Sequence, residues 1–131
     1  MNMRYFLNDV VEKVFQSLAP SGPIAFQVVC EDVYLANNHA LAIGMITNEL
    51  VTNSLKYGFP CDRPGHIVVA FSSESGIDLS VSDNGVGLRE GADPGGLGSR
   101  IVLLLMQQLE GEIAYQRLDP GLRVHVRAHP R

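Results

Sequence analysis

Between Asp83 and Gly98, six of sixteen residues are glycine and one is proline, and this stretch separates the strand-like run Ile77–Ser82 from a helix-like run that continues to about Leu109. Neither element can continue through it, because glycine costs about 1 kcal/mol per residue in a helix interior and weakens a strand. A connection longer than about 12–15 residues is uncommon in a small domain and is usually functional where it occurs. Any fold for this chain therefore has to place a strand exit and a helix start on either side of one long glycine-rich loop.

The remaining elements can be read around that loop. Phe6, Leu7, Val10, Val11, Val14 and Leu18 recur at three- and four-residue spacing, which predicts an amphipathic helix over 4–19 that stops at Pro20-Ser21-Gly22-Pro23. Ile24–Cys30 reads as a strand, Asn38–Tyr57 as a long helix ending at Gly58, and His66–Ser72 with Ile77–Ser82 as strands joined by Ser73–Gly76. Beyond the loop, strands Glu112–Leu118 and Leu122–Ala128 flank the turn Asp119-Pro120-Gly121. The order α-β-α-β-β-α-β-β implies an α+β two-layer sandwich, with a mixed, mostly antiparallel sheet covered on one face by helices.

With 131 residues, 46% hydrophobic, there is material for one core and one domain spanning 1–131. A net charge of −4 is the wrong sign for a module that draws affinity from nucleic-acid phosphates or anionic lipid. The longest apolar runs, Ala40–Ile46 and Ile101–Met106, fall far short of the about 20 residues that span a bilayer. No secretory signal is read at the amino end, and Cys30 and Cys61 lack CxxC or CxxH partners. A cytoplasmic protein with reduced thiols is expected.

Three segments carry chemistry. On the long helix, Glu49, Asn53 and Lys56 fall within roughly 60° of one another, while Thr47, Val51, Ser54 and Leu55 point broadly the other way. A carboxylate, an amide and an ammonium thus share a stripe, which an ordinary solvated helix face would also show. Next, Val81-Ser82-Asp83-Asn84-Gly85-Val86-Gly87 runs a strand straight into an acid and two spaced glycines. Asn84-Gly85 is a hairpin signal, but the glycines that follow make a longer loop than a two-residue turn needs. The placement suits backbone lying close to a flat ligand, with a buried carboxylate accepting from an amino group. Finally, Gly95-Gly96-Leu97-Gly98-Ser99-Arg100 puts glycines at a helix start, where unpaired N–H groups favour phosphate oxygens. It is neither a P-loop nor the dinucleotide fingerprint, since GxxxxGK[ST] and GxGxxG are both missing.

In order and kind, these parts resemble the Bergerat-type ATP-binding fold of gyrases, heat-shock chaperones, mismatch-repair ATPases and histidine kinases. Asn48–Phe59, reading NELVTNSLKYGF, is similar to the N-box of sensor histidine kinases, particularly the subfamily allied to the HWE type. The resemblance covers Tyr5 to Pro130. It implies Asn53 as a Mg²⁺ ligand, with Asn48, Lys56 and Tyr57 near the phosphates of ATP and Glu49 orienting or deprotonating the phosphoacceptor. Asp83 would accept from the adenine amino group, with Gly85 and Gly87 allowing close approach. Leu88–Gly95 would form a short lid, and Gly96, Leu97, Gly98, Ser99 and Arg100 the phosphate-binding start of the last helix.

The resemblance also implies partners. None of His39, His66, His125 or His129 lies in the helical setting that the family phosphorylates, and all four read as turn or strand residues. The acceptor histidine is expected on separate dimerisation helices preceding Tyr5, with a response regulator downstream and this domain monomeric in isolation. The alternative is an anti-sigma-factor type of serine kinase, which uses the same nucleotide site and binds a transcription factor. Two departures stand out: the lid lacks a phenylalanine, and Gly121-Leu122 stands where the family often has Gly-Thr.

Overall fold

The computed structural model describes residues 1–20, 22–87 and 97–129, apart from the side chains of 97–99. Its elements are α1 (Met3–Leu18), β1 (Ile24–Cys30), α2 (Asn37–Tyr57), a 3₁₀ turn at Pro60–Asp62, β2 (Gly65–Ser72), β3 (Ile77–Asp83), α3 (Leu97–Leu109), β4 (Gly111–Leu118) and β5 (Gly121–Ala128). The sheet order is β1-β2-β3-β5-β4. β1 and β2 run parallel and the other neighbours antiparallel, so the expected mixed, mostly antiparallel sheet is what forms. The parallel pair requires a crossover, and α2 supplies it.

Side chains sort onto the two sheet faces by the two-residue period of a strand. Ile67, Val69 and Phe71 of β2, Leu79 and Val81 of β3, and Val124 and Val126 of β5 are buried against the helices. α1 contributes Met3, Leu7, Val11 and Val14 to the same core, and α2 contributes Ile43, Ile46, Leu50 and Val51. On β3 and β5 the opposite sheet face is polar; there His125 Nε2 lies 2.7 Å from Asp78 Oδ1, with Arg127 Nε 3.6 Å from Oδ2.

The ends of the elements fix where the site lies. α1 is capped by Asn2, whose side chain accepts from the Tyr5 N–H at 3.2 Å. α2 ends at Gly58 as expected, but not through the left-handed conformation that commonly selects glycine at a helix end. Gly58 has φ −83 and ψ −25, and a Cβ there would sit 2.7 Å from the Ser54 carbonyl oxygen. β3 runs one residue further than the sequence pattern suggests. Asp83 stays in the ladder, paired with Ile67 on one side and Leu122 on the other. The two-residue period then turns its carboxylate to the helix side, where Leu79 and Val81 also point. His39 corrects one expectation, since it lies in the first turn of α2 rather than in a turn or strand.

Candidate functional site

Asp83 is only 6% exposed, a buried acid at the end of a core strand. A charge so placed needs donors, and two reach it. The Gly85 backbone N–H donates to Oδ1 at 2.9 Å, and the Ser54 hydroxyl, from the last turn of α2, donates to Oδ2 at 2.8 Å. An ionised carboxylate has about four acceptor positions, so among the described residues these two donors leave acceptor capacity unused.

The backbone around Asp83 is held by close crossings. The Val86 N–H donates to the Gly58 carbonyl at 2.8 Å, which ties the strand exit to the end of α2. A Cβ on Gly85 would collide with that same carbonyl oxygen. Gly121, with φ 117, passes so close to Asp83 that a Cβ there would overlap the Asp83 carbonyl oxygen. The Gly85 requirement visible in the chain is thus intramolecular packing, in addition to any ligand. Asn84 anchors the loop to β2, its Oδ1 accepting from the His66 N–H at 2.8 Å. Because β3 pairs only with β2 and β5, Asn84-Gly85 is not the turn of a hairpin.

The expected site residues divide by location. Asn48, Glu49, Asn53, Lys56 and Tyr57 all lie on α2, with Glu49 and Asn53 partly buried and Asn48, Lys56 and Tyr57 exposed. Asn48 Oδ1 faces the Thr52 hydroxyl at 3.5 Å. Asn53 immediately precedes Ser54, so the stripe and the Asp83 carboxylate belong to neighbouring sides of the same helix end. Gly87 follows the strand exit with φ 72. Leu97, Gly98, Ser99 and Arg100 form the first turn of α3, and Arg100 is exposed. Gly96, the lid Leu88–Gly95 and the side chains of Leu97 and Ser99 lie outside the described residues.

Ser54 was not among the residues expected in the site. Its place on the core-facing side of α2 does not single it out, because Thr47 on the same side satisfies its hydroxyl within the helix, on the Ile43 carbonyl at 2.8 Å. Leu122 lies beside Asp83 on the same sheet face, packed against the core, so β5 brings no polar side chain to the carboxylate at that position.

Whether ATP and Mg²⁺ fit can be tested on these residues. The unused acceptor capacity of a buried carboxylate suits an amino group on a flat base. Among the described residues no group of three or more His, Cys, Asp or Glu could hold a metal ion. A cation here would have to be bound mainly by phosphate oxygens and water plus one amide oxygen, a shell that Mg²⁺ accepts.

Fold and site together define an ATP-binding α/β sandwich of the Bergerat type. Residues 38–131 match the family of histidine kinase-, DNA gyrase B-, and HSP90-like ATPases, and the chain belongs to that family. It is 34% identical over 110 residues to blue-light-activated histidine kinase 2 of Erythrobacter litoralis, a match spanning 80% of this chain and 32% of that protein. It superposes on the histidine kinase domain of the Erythrobacter litoralis EL346 blue-light-activated histidine kinase with a TM-score of 0.89 and 27% identity, covering 99% of this chain and 66% of that one. The mycobacterial sensor histidine kinase MprB shares the fold at a TM-score of 0.71 and 18% identity, with 100% of this chain and 99% of that chain covered. No helix among the described residues is long and apolar enough to cross a membrane.

Proposed function

We propose that this chain is the catalytic ATP·Mg²⁺-binding domain of a sensor histidine kinase, donating the γ-phosphoryl group to a histidine on separate dimerisation helices. The observation that carries this is Asp83, buried beneath the end of α2 with acceptor capacity that two donors among the described residues do not fill. Asp83 accepts from the adenine amino group. Adenine is thereby preferred over guanine, whose 6-oxo group would set an acceptor against an acceptor.

Asn53 offers its amide oxygen to Mg²⁺, which neutralises phosphate charge as the phosphoryl group leaves. Lys56, with Asn48 and Tyr57 near it, supplies positive charge and hydrogen bonds to the phosphates. Leu97, Gly98, Ser99 and Arg100 open α3, where backbone N–H groups at a helix start favour anions, and Gly96, next to them in sequence, joins them in holding the phosphates. Glu49, one helical turn from Asn53, orients or deprotonates the acceptor imidazole. Phosphoryl transfer asks chiefly for positioning and charge neutralisation, and these residues provide both on the nucleotide side.

The 131 residues act as one domain, monomeric in isolation and cytoplasmic, with α1 following the dimerisation region and a response regulator receiving the phosphoryl group. The relatives named above, all histidine kinases, support this over the serine-kinase alternative. The test is to mix the chain with γ-labelled ATP, Mg²⁺ and a dimerisation-helix fragment of a related kinase. Acid-labile, base-stable label on the fragment is the expected result. Acid-stable label on a serine would replace the histidine reading with the serine one.

A further inference from the structure

We infer that Ser54 is a positioning residue that fixes the plane of the Asp83 carboxylate and so sets the preference for a 6-amino purine. This rests on the reading of Asp83 as the adenine acceptor. A serine inside a helix ordinarily donates to the carbonyl four residues back. Thr47, seven residues earlier on the same helix, does so, donating to the Ile43 carbonyl at 2.8 Å. Ser54 instead reaches across 29 residues of sequence to Asp83 Oδ2 at 2.8 Å.

The consequence for Asp83 is geometric. The terminal torsion of an aspartate is broad and roughly two-fold, so a single donor leaves the carboxylate free to rock about the held oxygen. Here each oxygen has its own donor, Gly85 N–H on Oδ1 and Ser54 O–H on Oδ2. Two anchors define a plane, and the unused acceptor directions then point to a fixed place. The Gly85 anchor is local, two residues along the chain, and moves with the loop. The Ser54 anchor comes from α2, the element that also carries Asn53 and Lys56, so it couples the base-reading carboxylate to the phosphate-side stripe. No side chain from β5 substitutes for it, since the neighbour of Asp83 across that ladder is Leu122. Among the described residues Ser54 is the one side chain that donates to Asp83.

A purely structural hydroxyl, present only to satisfy a buried acid, would also be bonded this way. The two roles separate when the ligand is changed at one atom. Affinities for ATP and for purine riboside triphosphate, which carries hydrogen where ATP has the 6-amino group, are measured with Mg²⁺ on wild type, Ser54→Ala and Ser54→Thr. The expected result is that Ser54→Ala weakens ATP about tenfold and leaves the deamino analogue unchanged, while Ser54→Thr, which keeps the hydroxyl, restores the ratio. If Ser54→Ala weakens both nucleotides equally, or neither, the inference is overturned. Should Ser54→Ala fail to fold, Ser54→Cys keeps the shape with a poorer donor and carries the same comparison. A wild type that binds both nucleotides equally overturns the Asp83 reading itself. That outcome is distinct, because it appears before any variant is made.

Discussion

The Ser54 hydroxyl and the Asp83 carboxylate meet at 2.8 Å, joining the last turns of α2 to the final residue of β3. The contact crosses the boundary between the helical layer and the sheet. It places an acid inside the apolar layer at the one point where the strand leaves the ladder.

Gly85→Ala should be costly before any ligand is considered. The added methyl has to displace the Gly58 carbonyl, which accepts from Val86, so a backbone crossing must open rather than a flexible side chain swing away. Overpacking of this kind costs about 1–3 kcal/mol. Urea denaturation should show the midpoint falling with an unchanged slope.

Asn53→Ala should separate metal from base. With no acidic cluster among the described residues to compensate, the variant loses the one amide oxygen assigned to Mg²⁺. Its ATP affinity in Mg²⁺ should drop about tenfold, toward the value wild type shows in EDTA, while the two proteins bind ATP equally in EDTA. Titration calorimetry in both buffers reads this directly.

The two cysteines should respond differently to alkylation. Burial pushes the Cys30 thiol above its ordinary pKa, the Arg4 charge opposes this, and Glu31 and Asp32 add to it. The Cys30 thiol also donates to the Glu31 carbonyl at 3.2 Å, which further favours the protonated form. Since the thiolate is the nucleophile, exposed Cys61 should be alkylated first at mildly alkaline pH. The sign for stability follows. The folded state holds the Cys30 proton to higher pH than the unfolded chain, so this contribution is complete below the ordinary thiol pKa and is lost as pH rises through the raised value. Wild type should therefore lose stability relative to Cys30→Ser only on the alkaline side, as followed by thermal melts across pH.

Most of the fold was legible because each element carries its own period. The α1 stripe Leu7, Val11, Val14 and the alternation in β2 and β3 identify helix and strands without tertiary information. The hairpin β4–β5 announced itself through Asp119-Pro120-Gly121. What local pattern could not supply was how the strands are assembled. The parallel β1–β2 pair and the insertion of β5 between β3 and β4 depend on long-range packing.

At the site, Asp83 could be singled out from its strand-exit position, whereas Ser54 could not. Helical spacing sends Ser54 to the core side, away from Glu49, Asn53 and Lys56. The buried acid lying beneath the helix is what gives the hydroxyl a partner in that direction. Gly58 is a similar case: the sequence marks it as a helix end, yet the Val86 hydrogen bond it accepts at 2.8 Å appears only in three dimensions.

The most direct test of nucleotide binding through Asp83 is the melting temperature with and without saturating ATP·Mg²⁺, on wild type and on Asp83→Asn. Ligand at 100 times its Kd adds about 2.7 kcal/mol to the folded state. Loss of a charged acceptor weakens binding by about 1.5–3 kcal/mol, which at the same ATP concentration removes from about half to about nine-tenths of that gain. Wild type should melt several degrees higher with ATP·Mg²⁺, while the shift of Asp83→Asn is half of that or less. A wild type that ATP·Mg²⁺ leaves unmoved, or an Asp83→Asn variant stabilised as much as wild type, would contradict it.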